Sequence, residues 1–538
     1  MLAAPLITGA TADSAPAPAT TSQQAPAFPA PDPGHLKVLN AVLANIAADY
    51  PKYAKDSPGA QDLLDYHIGD LWRHGLDGTG TTVAVIEGWD DPQVTAAVHQ
   101  FDQEYGLPDP DIQTIYPSGP LPAQCPPGMV ALGSYGSCDA WAGELELDVI
   151  SAHLVAPYAK ILISATPADS EITDDTASQV APPEMMRALE YIANNHLADS
   201  MSISDGTGES SYSYGNAEIA AQNPGELAAA AAGIPVSVST GDCGVVQNLP
   251  SASSQCGNVT PTPDISTWDD SPWITALGGS IPNVDPATGK QLGPDPVWRD
   301  ARSPKYSESA GYSEVYARPD FQNGVAGITG SAMRSTPDIT MDGQDGTSES
   351  APLFAGVMAL AAQLNHGPVG PVNQALYQVL GPLGTRAGIS DVVSGNNSYI
   401  NGSTVVPGFT AAKGFDVATG WGTLDASRFV PALVAAIHLG SSPRQQAGAE
   451  LARLQHGLHL TSAHVPSGGT TFLSANGFLP MHPVTLSIDG AKVATLTAST
   501  LGAVDDNIDP AALHLAPGHH TVTLGSMLIN QTGSFSTS

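Results

Sequence analysis

Apolar residues first fall into a regular pattern at Leu36, Val38, Leu39, Val42, Leu43 and Ile46, the 3.6-residue period of a helix running from His35 to about Tyr53. A second helical stretch is predicted over 61–75. Gly78-Thr79-Gly80 then turns the chain into Thr82-Val83-Ala84-Val85-Ile86, an apolar run of the kind a strand buried on both faces requires. Glu87 follows at the carboxyl end of that strand, the end that lines the ligand crevice in open α/β sheets. Beyond it the period switches repeatedly. Helices over 92–103, 141–154, 183–195 and 215–232 alternate with strands over 160–164, 200–204, 234–239 and 273–277, and a long apolar helix after Ser348 closes the series. This alternation predicts an α/β fold with a mostly parallel sheet and helices on both faces.

The texture changes near Gly440. Residues 438–460 are polar and read as a helical linker. Short alternating runs follow, such as Pro483-Val484-Thr485-Leu486-Ser487-Ile488 and His520-Thr521-Val522-Thr523-Leu524, separated by Asp489-Gly490 and Pro517-Gly518. They predict a small all-β sandwich over 461–538. At the other end, 1–34 is rich in Ala, Pro, Ser and Thr and reads as a disordered linker behind a weakly apolar signal remnant. No segment is long and apolar enough for a membrane span. The division expected is therefore 1–34, a helical segment 35–64, a catalytic-sized domain 65–437, the linker, and the sandwich.

Charge narrows the partners. The chain of 538 residues has 52 acidic against 18 basic residues, a net charge of −34, while charged residues make up only 13% of it. Nucleic acid and anionic membranes are repelled by such a surface. Scarce Lys and Arg also limit cationic self-repulsion once carboxylates protonate, which suits acid surroundings. The four cysteines fall into two short-range pairs, Cys125 with Cys138 and Cys243 with Cys256, in Gly/Pro/Ser-rich segments without CxxC spacing. Two local disulfides in an exported protein are expected, the other two connectivities remaining open, and each loop would contribute about 3 kcal/mol.

Three stretches offer chemistry. Gly346-Thr347-Ser348-Glu349-Ser350-Ala351-Pro352 leads into an apolar helix, so Ser348 falls near a helix N-terminus that favours developing negative charge. That suits a serine nucleophile and equally a simple helix cap. Within 139–150, Glu144 and Asp148 are four residues apart and share one helix face, a like-charge pair that costs an isolated helix about 0.2–0.5 kcal/mol. Leu145, Leu147, Val149 and Ile150 leave little of that helix to solvent. In Ser239-Thr240-Gly241-Asp242-Cys243-Gly244 a strand delivers Asp242 into a glycine-flanked turn.

Glu144-x-x-Leu147-Asp148, Ser239-Thr240-Gly241-Asp242 and Gly346-Thr347-Ser348-x-Ser350-x-Pro352 resemble, in this order, the motifs of the sedolisin (serine-carboxyl peptidase) family. Ser271-Pro272-Trp273-Ile274-Thr275-Ala276-Leu277-Gly278-Gly279 and Arg318-Pro319-Asp320-Phe321-Gln322 add to the likeness, which covers roughly 65–435. It implies a subtilisin-like fold with Ser348 as nucleophile, Glu144 as general base, Asp148 orienting it, and Asp242 where a subtilisin has its oxyanion-hole asparagine. A base of ordinary carboxylate pKa and a protonated Asp242 suit acidic solution. Glu87 and Asp205 are possible extensions of the network, Asp205 replacing the usual aromatic residue. No His-Gly-Thr segment suits an ordinary Ser-His-Asp peptidase.

The resemblance also implies one calcium ion held by the carboxylates of Asp391 and Asp416 and the carbonyls of Val392, Ala412 and Gly414. Two departures stand out: 35–64 is a short pro-region remnant, and the segment from Pro337 to Gly346 lacks a hairpin, with Glu349 an unusual charge beside the nucleophile. The sandwich is similar in pattern to Ig-like modules. The function implied is a secreted, monomeric, acid-active endopeptidase acting on proteins or peptides. A tripeptidyl-peptidase and an inactive relative that binds peptides or cell surfaces are the alternatives.

Overall fold

The computed structural model describes residues 27–53, 59–131, 137–167, 182–249, 254–437 and 442–538; most of the expected disordered stretch 1–34 lies outside them. A seven-stranded sheet forms the centre, in the order β2-β3-β1-β4-β5-β6-β9. Its strands are β1 (Thr82–Glu87), β2 (Ile112–Ile115), β3 (Lys160–Ala165), β4 (Ser200–Ile203), β5 (Val236–Ser239), β6 (Thr275–Ser280) and β9 (Ile339–Asp342). Every pairing is parallel, with Glu87 opposite Ala165 and Val85 opposite Ser202. An antiparallel pair, β7 (Gly311–Ala317) and β8 (Met333–Thr336), stands outside this sheet. The edge strands β2 and β9 were not expected. Each is four residues long, too short for a period to show.

The alternation along β1 explains the helix arrangement. Val83 and Val85 pack with Leu145, Val149 and Leu353 on one face, whereas Ala84 and Ile86 pack with Met185, Leu189 and Ala229 on the other. Helices Cys138–Val155 and Thr347–Asn365 therefore cover the first face, and Glu184–Asn195 and Asn223–Ala232 the second. The first two helices approach closely at Gly356, where an added Cβ would lie 2.6 Å from Cβ of Val155. The predicted helix over 61–75 is two pieces, Asp62–Asp65 and Ile68–Arg73, separated at His67 by a left-handed φ of 57°.

A buried ion pair fixes the edge beside β9. Arg334 in β8 gives two hydrogen bonds to Asp338, at 2.8 and 2.7 Å, and Tyr377 Oη donates a third to the same carboxylate at 2.8 Å. Both charged side chains are wholly buried, so removing one leaves the other unpaired. Arg334→Met is expected to destabilise the fold by about 3–5 kcal/mol, read as a lower denaturant midpoint in equilibrium unfolding.

The helical linker expected over 438–460 contains one helix, Pro443–Gln455, and it packs against the catalytic-sized domain. Its Ala447 is buried against Leu227 and Ala230 of helix Asn223–Ala232. Beyond it two small sheets share one core. Val484, Leu486, Val522, Leu524 and Phe535 of the five-stranded sheet meet Leu473, Ala475, Val504 and Ile508 of the three-stranded one. The turn foreseen at Asp489-Gly490 forms, both residues having positive φ. Among the described residues no helix is long and apolar enough to cross a membrane. The expected cysteine pairs are joined as Cys125–Cys138 and Cys243–Cys256.

Candidate active site

Four elements converge at the carboxyl ends of the central strands. Helix Thr347–Asn365 begins there, with Ser348 as its second residue. Asp242 follows β5 and meets the start of that helix: its Oδ1 accepts the Thr347 backbone N–H at 2.8 Å and the Thr347 hydroxyl at 3.1 Å. Thr347 Oγ1 in turn accepts the Gly241 N–H at 2.9 Å. Gly346 makes this closeness possible. Its φ is +92°, and an added Cβ would stand 2.8 Å from Oδ2 of Asp242. Gln255 also donates to that Oδ2, from the loop closed by Cys243–Cys256.

Helix Cys138–Val155 supplies the second group of residues. The Glu144 carboxyl lies near enough to Ser348 for the hydroxyl to lower its pKa. Burial nevertheless pushes its pKa up to about 7, and the Asp242 charge adds to the rise. The sequence suggested an ordinary carboxylate range for this base; desolvation overrides that. Asp148, one turn on, is wholly buried and accepts a hydrogen bond from Ser204 Oγ at 2.7 Å. The same hydroxyl is 3.1 Å from the carbonyl oxygen of Ser348, so Ser204 ties the base helix to the nucleophile's backbone. Sequence reasoning passed over Ser204; its signal was the alternation Ser200-x-Ser202-x-Ser204 leading into the crevice.

Glu87 stands at the end of β1 near Asp148, and both its oxygens are buried without a hydrogen-bond partner among the described residues. Burial, then the charge of Asp148, holds the Glu87 pKa well above the usual carboxylate range; for Asp148 the causes are burial, then Glu144. Asp205 lies at the mouth. It lines one cleft with Ser348, Asp242, Gly241 and Gln255, and burial raises its pKa. Its Oδ2 is buried without a hydrogen-bond partner among the described residues. For Asp242, burial outweighs the three donors, and its pKa is raised.

The residues suggested for calcium also come together. Asp391 Oδ2 accepts the Gly414 N–H at 2.8 Å, and Asp416 Oδ2 accepts the Ala412 N–H at 2.7 Å, drawing both carboxylates onto the 412–416 loop. The carbonyls of Val392, Ala412 and Gly414 accept no hydrogen bond among the described residues. Two carboxylates and three available carbonyls form a hard-oxygen donor set that fits such an ion.

No protein-family model matches the chain. Kumamolisin from Bacillus sp. (strain MN-32) is 27% identical over 400 residues, which is 70% of this chain and 64% of that protein. Among solved structures, Pseudomonas sedolisin, a serine-carboxyl proteinase complexed with two molecules of pseudo-iodotyrostatin, aligns with a TM-score of 0.53 at 25% identity. That alignment covers 66% of this chain and 92% of that one. These likenesses support the sedolisin family. A shorter likeness, 30% identity over 186 residues, joins the chain to tripeptidyl-peptidase 1 of Rattus norvegicus, over 28% of this chain and 30% of that protein. The mixed α/β architecture agrees with the sedolisin fold. The chain spans 64% of kumamolisin, less than two thirds of its length.

Proposed function

We propose that this chain is a secreted serine-carboxyl endopeptidase of the sedolisin type, active in mild acid. One observation carries the reading: Ser348 and Asp242 line one cleft, and the Glu144 carboxyl lies near enough to Ser348 to feel its hydroxyl. In this reading Ser348 Oγ attacks the scissile carbonyl carbon while Glu144 takes its proton. The oxyanion that forms is met by the protonated carboxyl of Asp242. Glu144 then returns its proton to the leaving amine as the C–N bond breaks. A water molecule repeats the sequence on the ester, restoring Ser348. Asp148, held by Ser204, fixes the orientation of Glu144.

Glu144 must be ionised and Asp242 neutral, so the pair has to hold one proton. Burial raises both carboxyls, which lifts the active window above the titration of an ordinary glutamate. Incubating the protein with a denatured protein and with blocked peptides from pH 2 to 8, beside Ser348→Ala, tests the proposal. Internal cleavage that peaks below neutrality and is absent from the variant is the expected result; no cleavage at any pH would overturn it. Asp242→Ala is expected to lower kcat by about 10²–10³. Asp242→Asn keeps a donor that does not ionise, so the alkaline limb of kcat/KM should move to higher pH.

The likeness to tripeptidyl-peptidase 1 favours a second reading, in which the cleft holds a free substrate amine. Faster release of tripeptides from free than from blocked amino termini would decide for it. We also assign calcium to the 391–416 site and an Ig-like character to the C-terminal sheets. Calcium should raise the melting temperature of the chelated protein, and Asp391→Asn and Asp416→Asn should each shrink that rise. An unchanged rise in both variants would remove calcium from this site.

A further inference from the structure

A second group of carboxylates lies away from the cleft, where the N-terminal helical segment meets the nucleophile helix. Asp62, Asp342 and Glu349 come from helix Asp62–Asp65, the end of β9 and the first turn of helix Thr347–Asn365. Their relative exposures are 0%, 0% and 1%, yet one oxygen from each lies within 4.8 Å of the others. None of the three pairs with a Lys, Arg or His among the described residues.

Their hydrogen bonds do not make up the deficit. Glu349 accepts the N–H groups of Gly59 at 3.4 Å and Asp345 at 3.2 Å. Asp342 accepts from Gln344 N at 3.0 Å and Nε2 at 3.1 Å. Asp62 faces the Asp342 carboxyl, and both its oxygens are buried without a donor. The Tyr66 hydroxyl, one helical turn beyond Asp62 and on the same face, is also buried and unpartnered. Buried polar atoms of this kind call for a ligand, and uncompensated buried charge is costly.

We propose that Asp62, Asp342 and Glu349 bind a hard divalent cation that clamps the N-terminal segment to the residue following Ser348. With no pair of these oxygens more than 4.8 Å apart, one point lies within about 2.8 Å of all three, so a shift of a few tenths of an ångström brings them into one calcium sphere. Three carboxylates on three separate segments satisfy the cation's charge, and the Tyr66 hydroxyl adds a neutral oxygen beside it. Binding draws the 59–66 stretch onto the start of the nucleophile helix, because Gly59 already donates to Glu349. The donor set is separate from that of Asp391 and Asp416.

Bound Mn²⁺ counted by electron paramagnetic resonance on the full chelated chain at pH 7 tests this. Two ions per wild-type chain are expected, falling to one in Asp62→Asn and one in Glu349→Gln, with affinity at the lost site reduced at least tenfold. Asp62→Asn removes a charge without removing any hydrogen-bond acceptor in use, and Glu349→Gln stands in should it not fold. A count that neither variant lowers overturns the proposal, whereas a wild type holding one ion that both variants lose upholds it and leaves the 391–416 loop without one.

Discussion

Ser348→Ala is expected to lower kcat by about 10⁶, the scale on which a subtilisin responds to loss of its serine. What survives, about 10³–10⁴ over the reaction in water, should come from binding and from the donors facing the oxyanion. The more telling measurement is the double variant Ser348→Ala/Glu144→Gln. Glu144 acts only by taking the Ser348 proton and handing it on. Once the hydroxyl is gone, losing the base should cost almost nothing further. If the two losses multiplied instead, Glu144 would be acting on substrate directly, and the roles derived above would be wrong. Ser348 is half-buried at the helix start and belongs to no hydrophobic cluster, so folding should be unaffected, and the melting temperature checks that.

The second large effect is on stability. Burial raises Asp65 and Glu144 to about 7, Glu226 to about 8 and Asp264 to about 6. In an unfolded chain these groups titrate near 4. A carboxyl whose folded pKa is raised favours the native state fully below about pH 4 and loses that contribution as pH rises through its folded value. A tenfold difference in proton affinity between the two states is worth about 1.4 kcal/mol. The melting temperature, measured with a chelator present, should therefore fall as pH rises from about 5 to 8, the opposite of a protein stabilised by salt-bridged carboxylates. A flat or rising profile would show that these groups are more solvated than their surroundings indicate. At the Asp62 cluster a bound cation would do near neutrality what protons do in acid.

Much of this was legible in the sequence because it is local. The run Thr82 to Ile86 spells a strand buried on both sides, and Glu144 with Asp148 spell one helix face. Asp242 and Ser348 each sit where a regular element meets a glycine. The cysteine pairs, close along the chain, are joined as expected. What the sequence hid is assembled at long range or in short pieces. β9 is four residues behind a proline, so its place at the sheet edge emerges only from pairing with β6. Ser204 matters because folding sets it between Asp148 and Ser348. The Asp62 cluster joins segments some 290 positions apart, as the Gly59–Glu349 hydrogen bond records. The pKa of Glu144 depends on burial that no spacing reveals. Residues 443–455 looked polar enough for a linker, and only Ala447 among them is buried.

The helix that begins with Thr347-Ser348 is buried along nearly its whole length, packed by Gly356 against the helix that carries Glu144. Backbone amides in such an element have no local opening through which to meet solvent. Their hydrogen exchange should be as slow as global unfolding, while the surface helix 443–455 exchanges early. Nucleophile and base then share the fate of the core: inactivation by heat and loss of the fold should be a single event, with no partly folded, catalytically silent form between them.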